Sequence, residues 1–161
     1  MWKVINSKVH GKGILATSNI KKGTKIIEYI GEKITKKEGD KRSAERIKNY
    51  LDKANEGSVY IFELNKKYDL DGTPSYNKAR YINHSCEPNC EVDIIDEKIW
   101  IIAIKNIKKN DELNYDYGYV FDKSDYKDHA CQCGSKKCIG YIISKDDWPK
   151  FFKYIKKIVN S

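Results

Sequence analysis

No apolar stretch in this chain is longer than six residues, Ile99 to Ile104, and polar or turn-forming residues break up the rest. A membrane-spanning helix needs roughly 20 apolar residues in succession, so that class of fold is excluded at the outset. What remains are short strands between turns. Lys25 to Ile30, closed by Gly31, is rich in β-branched and aromatic residues, and Ser58 to Leu64 and Lys67 to Leu70 read the same way before the loop Asp71 to Ser75. Glu91 to Ile95 and Lys98 to Ile104 flank Asp96-Glu97 as a hairpin, and Glu112 to Tyr115 is a further short strand.

Two segments depart from this pattern. Thr35-x-x-Glu38 is a capping-box pattern, and Ala44, Ile47, Leu51 and Ala54 follow at helical spacing, so a helix is expected over about 36–54 with Gly39 weakening its first turn. Near the end, Trp148, Phe151, Phe152, Ile155, Ile158 and Val159 recur at helical spacing behind Asp146-Asp147 as a cap, with Pro149 in the first turn. The expectation is a mainly β fold with short helices, including a C-terminal amphipathic helix packed on the same body. With no internal repeat, no Pro- or Gly/Ser-rich linker and only three Pro in 161 residues, the chain reads as one unit with a single core.

Composition narrows the function classes. Hydrophobic residues at 40% give a core, and charged residues at 34% rule out a membrane protein, so a soluble domain is expected. Met1 to Asn6 contains no signal-like apolar block, which leads us to expect an intracellular protein. The net charge of +8 invites a nucleic-acid partner for the basic surface. However, 28 of the 31 basic residues are Lys, and base readout favours Arg. The excess of Lys, Ile, Asn and Tyr, all with AT-rich codons, also suggests genome composition as a source of the charge. Five Cys without an export signal fit a reducing compartment, as metal ligands or buried thiols.

Three of those thiols lie within Cys131-x-Cys133-x4-Cys138, around a Gly that permits a tight turn. Thiolates so clustered suit tetrahedral zinc, and a structural site needs four ligands. The fourth is missing locally; His129, Cys86 and Cys90 are the candidates. Arg80 to Cys90 (Arg-Tyr-Ile-Asn-His-Ser-Cys-Glu-Pro-Asn-Cys) is dense in polar groups between two expected strands, as binding loops often are. His84-Ser85-Cys86 lacks the nucleophile elbow or catalytic-Cys signature of a hydrolase. Tyr115, Tyr117 and Tyr119 share one face of an extended run, a pattern that alone would mean core, and Gly11-Lys-Gly13 allows close backbone approach to a ligand.

Taken in order, Gly11 to Ala16, Glu28 to Glu32, Asn77 to Asn89, Glu112 to Tyr117 and Cys131 to Cys138 resemble a SET-domain protein lysine methyltransferase with its post-SET zinc segment. The resemblance covers about residues 9–142; the Asn-His-Ser-Cys-x-Pro-Asn block is the most specific part. It implies small curved β-sheets around a pseudoknot, with residues 1–125 as SET domain, 126–144 as post-SET segment and 145–161 as an added C-terminal helix. No cysteine-rich segment precedes residue 9, so a minimal, stand-alone form is expected.

By the same resemblance, Lys12, Gly13, Asn83 and His84 would hold S-adenosylmethionine. Arg80 would brace that segment, and Tyr50 would be a neighbour of the cofactor. Tyr117 would be the active-site Tyr, also beside the cofactor, with Tyr115 and Tyr60 at the chemistry and Tyr60, Tyr115 and Tyr141 lining the lysine channel. Cys86 would join Cys131, Cys133 and Cys138 on one structural zinc. Tyr76 stands where the family usually has Gly, and Lys12 replaces a common Arg or aromatic. In the family the residue two before the active-site Tyr is Phe or Tyr; Tyr115 here implies mainly monomethylation. The expected partner is a protein carrying a target lysine, with a histone tail as first candidate, which would place the protein at chromatin and otherwise in the cytoplasm. The competing class is a catalytically silent zinc-containing module with the same fold that binds chromatin or nucleic acid.

Overall fold

The computed structural model describes residues 1–52 and 60–160, the side chains of 49–52 excepted. In chain order the elements begin with β1 (Trp2–Asn6), β2 (Lys12–Ala16), β3 (Lys25–Tyr29), β4 (Glu32–Thr35) and α1 (Lys36–Asp52). There follow β5 (Ile61–Glu63), β6 (Tyr68–Asp71), β7 (Asn83–His84), β8 (Cys90–Ile95), β9 (Lys98–Ala103), β10 (Glu112–Tyr115) and α2 (Trp148–Val159). Among the described residues the protein is mainly short strands with two α-helices, as the run lengths lead one to expect. Among the described residues, no helix is long and apolar enough to cross a membrane.

The chain forms two compact units. The first comprises residues 1–24, 81–91 and 103–161. Its sheet has the order β1-β2-β10-β7, with β10 antiparallel to β2 and parallel to β7. The partners Leu113 and Ile14 are both fully buried and fix the register, because a one-residue slip would turn each to the other face. The parallel pairing Asn114↔Asn83 and Tyr115↔His84 sets side by side the segments of the Asn77 to Asn89 and Glu112 to Tyr117 blocks. Neither β1 nor the two-residue β7 is evident from the sequence pattern; β7 is too short to show any period.

The C-terminal helix packs within this unit. Phe151 is buried with Tyr126 and Ile143, and Phe121, Ile139, Tyr141, Trp148, Tyr154 and Ile155 pack around them. Phe152, Ile158 and Val159, expected on the same apolar face, are exposed. Asp147 occupies the N-cap position, with Pro149 in the first turn, yet its side chain makes no cap hydrogen bond. Its carboxylate accepts instead from the Phe121 N–H at 2.9 Å and from Lys150 Nζ at 2.5 Å, pinning the helix start to the preceding segment.

The second unit comprises residues 25–80 and 92–102. It holds two three-stranded sheets, β3-β9-β8 and β4-β6-β5. The expected hairpin is present, and Asp96 and Glu97 both take positive φ, 52° and 57°, as a two-residue turn matched to strand twist requires. Thr35 Oγ1 accepts from the Glu38 N–H at 3.3 Å, so the expected cap of α1 forms. Over its described side chains α1 does not pack by the expected apolar face: Ala44 and Ile47 are exposed, and Lys36, Gly39, Arg42 and Arg46 turn to the sheet. The cause is a pair of buried carboxylates. Asp69 takes Lys36, and Asp71, 2% exposed, takes both Arg42 and Arg46 at 2.8 Å. Gly39 is what lets the helix approach, since a Cβ there would lie 2.3 Å from Asp69 Oδ2. Residues 53–54 of the expected helix, with Ala54 and the side chain of Leu51 from its expected apolar face, and 58–59 of the expected strand lie outside the described residues.

Candidate active site and metal centre

In the first unit, Asn83 of β7 is buried, and its Nδ2 donates to three oxygens: Glu112 Oε1 at 3.0 Å, the Lys12 carbonyl at 3.0 Å and the His10 carbonyl at 3.3 Å. Glu112 Oε1 also accepts from Ser7 Oγ at 2.7 Å. That oxygen stands where a Cβ at residue 13 would go, 2.4 Å away, so Gly13 is required by the carboxylate that ties β7 and β10 to the Gly11-Lys-Gly13 loop. Lys12 itself is exposed, with Nζ 5.0 Å from the centre of the Tyr81 ring.

His84, the other residue of β7, is buried, and its Nδ1 accepts from the Tyr117 N–H at 3.2 Å. Nε2 faces Cys86 Sγ at 3.7 Å. Burial holds the imidazole below its usual range, against the opposing charge of Asp116, so the ring is neutral near pH 7 and carries its proton on Nε2. The Tyr117 hydroxyl donates to the Ile82 carbonyl at 3.0 Å, and its ring lies 5.4 Å from His84 and 5.0 Å from Tyr115. Tyr119 continues the row at 5.9 Å from Tyr117 and meets His129 at 5.2 Å. The tyrosine stripe is therefore an aromatic wall, with Tyr115 buried and the other two half-buried.

The Sγ atoms of Cys86, Cys131, Cys133 and Cys138 all lie within 4.8 Å of one another, and Cys86 is 3.8 Å from Cys131 and 4.0 Å from Cys138. Around a zinc ion with bonds of about 2.3 Å, a regular tetrahedron has sulfur–sulfur edges of about 3.8 Å, so the cluster has the dimensions that ion needs. The four thiols cannot all ionise unaided. Burial pushes Cys86 up to about 11 and Cys131 far above its ordinary range. Burial acts the same way on Cys133, but hydrogen bonds from Ser135 and the Cys86 N–H bring it down to about 6. A dication at the centre would let all four be thiolates. Cys90, 1% exposed and pushed up to about 12 by burial, is outside the cluster and donates to Asn89 Oδ1 at 3.3 Å. His129, with its ring against Tyr119 and Nε2 at 3.9 Å from Asp125, is not among the four either.

The scan against families matches the chain to the SET domain over residues 11–118. The chain belongs to the SET domain family. Curated relatives include the histone-lysine N-methyltransferase trithorax of Drosophila virilis, 40% identical over 86% of this chain and 4% of that protein. Also similar are the H3 lysine-4 specific histone-lysine N-methyltransferase of Aspergillus oryzae (35%, over 84% of this chain and 11% of the relative) and the human histone-lysine N-methyltransferase 2D (36%, over 85% and 2%). The chain thus spans about a tenth or less of the length of these proteins.

Not every residue singled out in this SET domain falls into one group. Tyr141 packs against Tyr126 at 4.9 Å and Phe151 at 5.7 Å, as part of the aromatic cluster beneath α2. Tyr60 and Arg80 belong to the second unit, where the Arg80 guanidinium stacks 4.3 Å over the Tyr60 ring and its Nη1 donates to the Thr73 carbonyl. The Tyr50 side chain is outside the described residues. Residue type and spacing assign no role to Glu112 or Asn89. Asn89 imitates a strand partner for β10: its Nδ2 donates to the Glu112 carbonyl at 2.9 Å and its Oδ1 accepts from the Asn114 N–H at 2.9 Å. Their only signal is their place inside the Asn77 to Asn89 and Glu112 to Tyr117 blocks, since nothing in residue type says what an Asn or Glu will bond to.

Proposed function

We propose that the chain is an S-adenosylmethionine-dependent protein lysine N-methyltransferase that mainly monomethylates, with a histone tail as its first candidate substrate and chromatin as its place of work. The observation that carries this reading is the convergence of Asn83, His84 and Tyr115 on two paired strands of a SET domain, with Tyr117 two residues beyond β10 and bonded back to His84 and Ile82. We also divide the chain into a SET domain (1–125), a post-SET zinc segment (126–144) and a C-terminal helix (145–161).

S-adenosylmethionine, when bound, would supply a methyl group on a positive sulfur, which leaves that sulfur for the lysine amine. The chain's own residues have to bind, orient and desolvate. Lys12, Gly13, Asn83 and His84 are the cofactor-binding candidates, and Glu112 keeps the Asn83 amide and the loop carbonyls in fixed relation. Arg80 and Tyr50 are assigned to the cofactor side by family resemblance.

A substrate lysine arrives as an ammonium, and making it neutral at pH 7.4 costs about 4 kcal/mol. Aromatic walls disfavour the charged form and hold the amine on the attack line. Tyr60, Tyr115 and Tyr141 are our candidates for those walls. Tyr117 donates its hydroxyl hydrogen to the Ile82 carbonyl, so its oxygen can accept a hydrogen bond from the amine without carrying charge.

One zinc on Cys86, Cys131, Cys133 and Cys138 would be structural. It would tie residue 86, next to the cofactor-binding pair, to the post-SET segment, and so hold both in the geometry that binding needs. The deciding experiment is transfer of radiolabelled methyl to a histone H3 tail peptide and a panel of basic proteins. Labelled lysine with the native chain and a loss of at least a hundredfold with Tyr117→Phe are expected. A folded, zinc-loaded chain that labels nothing would favour the silent binding module.

A further inference from the structure

Helix α2 carries no acidic residue and four lysines within its twelve residues. Lys150, Lys153 and Lys157 stand at i, i+3 and i+7, which places them within about 60° of arc and along about 10 Å of helix. This row is turned away from the face that buries Phe151. Lys123 joins it from the segment before Tyr126, its Nζ 5.6 Å from the centre of the Tyr154 ring. Together with Phe121 and Tyr154 these lysines line a groove of about 550 Å³. Asp122 is the one carboxylate in the lining, and it is occupied by the Ser124 N–H at 2.7 Å and hydroxyl at 2.6 Å. At the helix start, Asp147 takes up part of the Lys150 charge.

A groove with this charge balance selects a polyanion. Its cations are all Lys, point charges that suit phosphate oxygens, whereas carboxylate recognition favours the planar fork of Arg. Phe121 and Tyr154 already pack with Tyr126 and, in the case of Phe121, with Phe151, so their rings are committed to the core rather than presented as a stacking platform for unpaired bases. We infer that the groove between α2 and residues 121–123 is a docking surface for the phosphate backbone of duplex DNA, read without regard to base sequence. Such a surface also resolves a conflict of charge: a chain of net charge +8 repels a cationic protein substrate, and DNA bound to both would hold them together. The inference goes beyond the methyltransferase reading and is measured without the cofactor, so either can fail alone.

The test is fluorescence anisotropy with a labelled random-sequence duplex across a salt series. Each lysine–phosphate contact adds about 0.9 to the slope of log affinity against log salt, so Lys123→Ala/Lys153→Ala/Lys157→Ala should flatten the slope by about 2 to 3 and weaken binding at least tenfold at low salt. Lys21→Ala/Lys22→Ala/Lys109→Ala removes the same charge elsewhere and should lower both far less. Lys123→Gln, which lies outside the helix and leaves α2 intact, should flatten the slope by about one and serves if the triple variant does not fold. Equal losses in the two triple variants would overturn the inference in favour of diffuse attraction. Polyglutamate displacing DNA from the groove at lower concentration than unlabelled duplex would overturn it in favour of an acidic protein partner.

Discussion

Glu112 shows how much a single carboxylate can organise: one oxygen accepts from Ser7 and Asn83 and fills the space that Gly13 leaves open. Hydrogen bonds to a charged group contribute roughly 1.5–3 kcal/mol, so Glu112→Ala should weaken S-adenosylmethionine binding by about tenfold to a hundredfold, while Ser7→Ala should cost less. Calorimetric titration of each variant checks this; a folded Glu112→Ala chain with native affinity would reduce the residue to a structural prop. Tyr115 makes the second case. It is 7% exposed, with its ring 5.0 Å from Tyr117, and a hydroxyl so enclosed can hold the amine or a water in the room that a second methyl would need. Tyr115→Phe keeps the ring and removes the hydroxyl, so the product should move from mono- towards di- and trimethyl-lysine with the first transfer retained. Mass spectrometry of a peptide product at high enzyme decides, and abundant trimethyl-lysine from the unaltered chain would refute the role.

Elements were legible from the sequence where hydrophobic period and turn chemistry agreed, and illegible where burial was polar. The hairpin of β8 and β9 appears where the Asp96-Glu97 pair predicted it, whereas the packed face of α1 is set by Asp69 and Asp71, which periodicity of apolar residues cannot reveal. The hairpin turn also carries strain. Glu97 holds φ at 57°, a conformation that costs a residue with a side chain roughly 1 kcal/mol, and Glu97→Gly relieves it against about 0.4–1 kcal/mol of added unfolded-state entropy, so the variant should be about 0–0.6 kcal/mol more stable. Urea denaturation measures it; a loss of stability would mean that the contact of Glu97 with Asn65 at 3.3 Å outweighs the strain. The cysteine element yields a sharper contrast. Cys86→Ser should release zinc and Cys90→Ser should retain it, because only the former sulfur sits in the four-thiol cluster. Metal analysis after gel filtration reads this directly, and the reverse result would exclude the ligand set.

For the whole molecule, the order of five short blocks was enough to point to the SET family and to the residues that gather on β7 and β10, because those blocks carry the turns, close approaches and polar pairs that this backbone requires. The outward faces of α2 were not legible in the same way: helical spacing says which residues line up, not which line meets the core. The pH response of stability sums over every titrating group in the molecule. Burial alone would push Asp71 up, but Arg46, Thr73 and Arg42 hold its carboxyl far below the usual range, so its contribution to stability is present above about pH 3.9 and lost only as pH falls below that. His84 is held low by burial; the unfolded chain takes up its proton first, so stability falls as pH drops below about 6.5 and is level above it. Neither of these groups changes charge between pH 7 and 9, and the buried Cys90 thiol, pushed up to about 12, costs stability only above the ordinary thiol value of about 8.5, so folding should not limit the rate over most of that interval. Over the same interval the neutral fraction of a free lysine rises about a hundredfold, from a pKa of about 10.4. Initial rates with a lysine peptide should therefore climb towards pH 9, with a log-rate slope near one wherever deprotonation limits turnover, and the climb should flatten early to the extent that the aromatic walls have already lowered the lysine's pKa. A bell centred below pH 7 would require a carboxylate or imidazole base instead, and the neutral, buried His84, bonded to the Tyr117 N–H, would then be the first group to test.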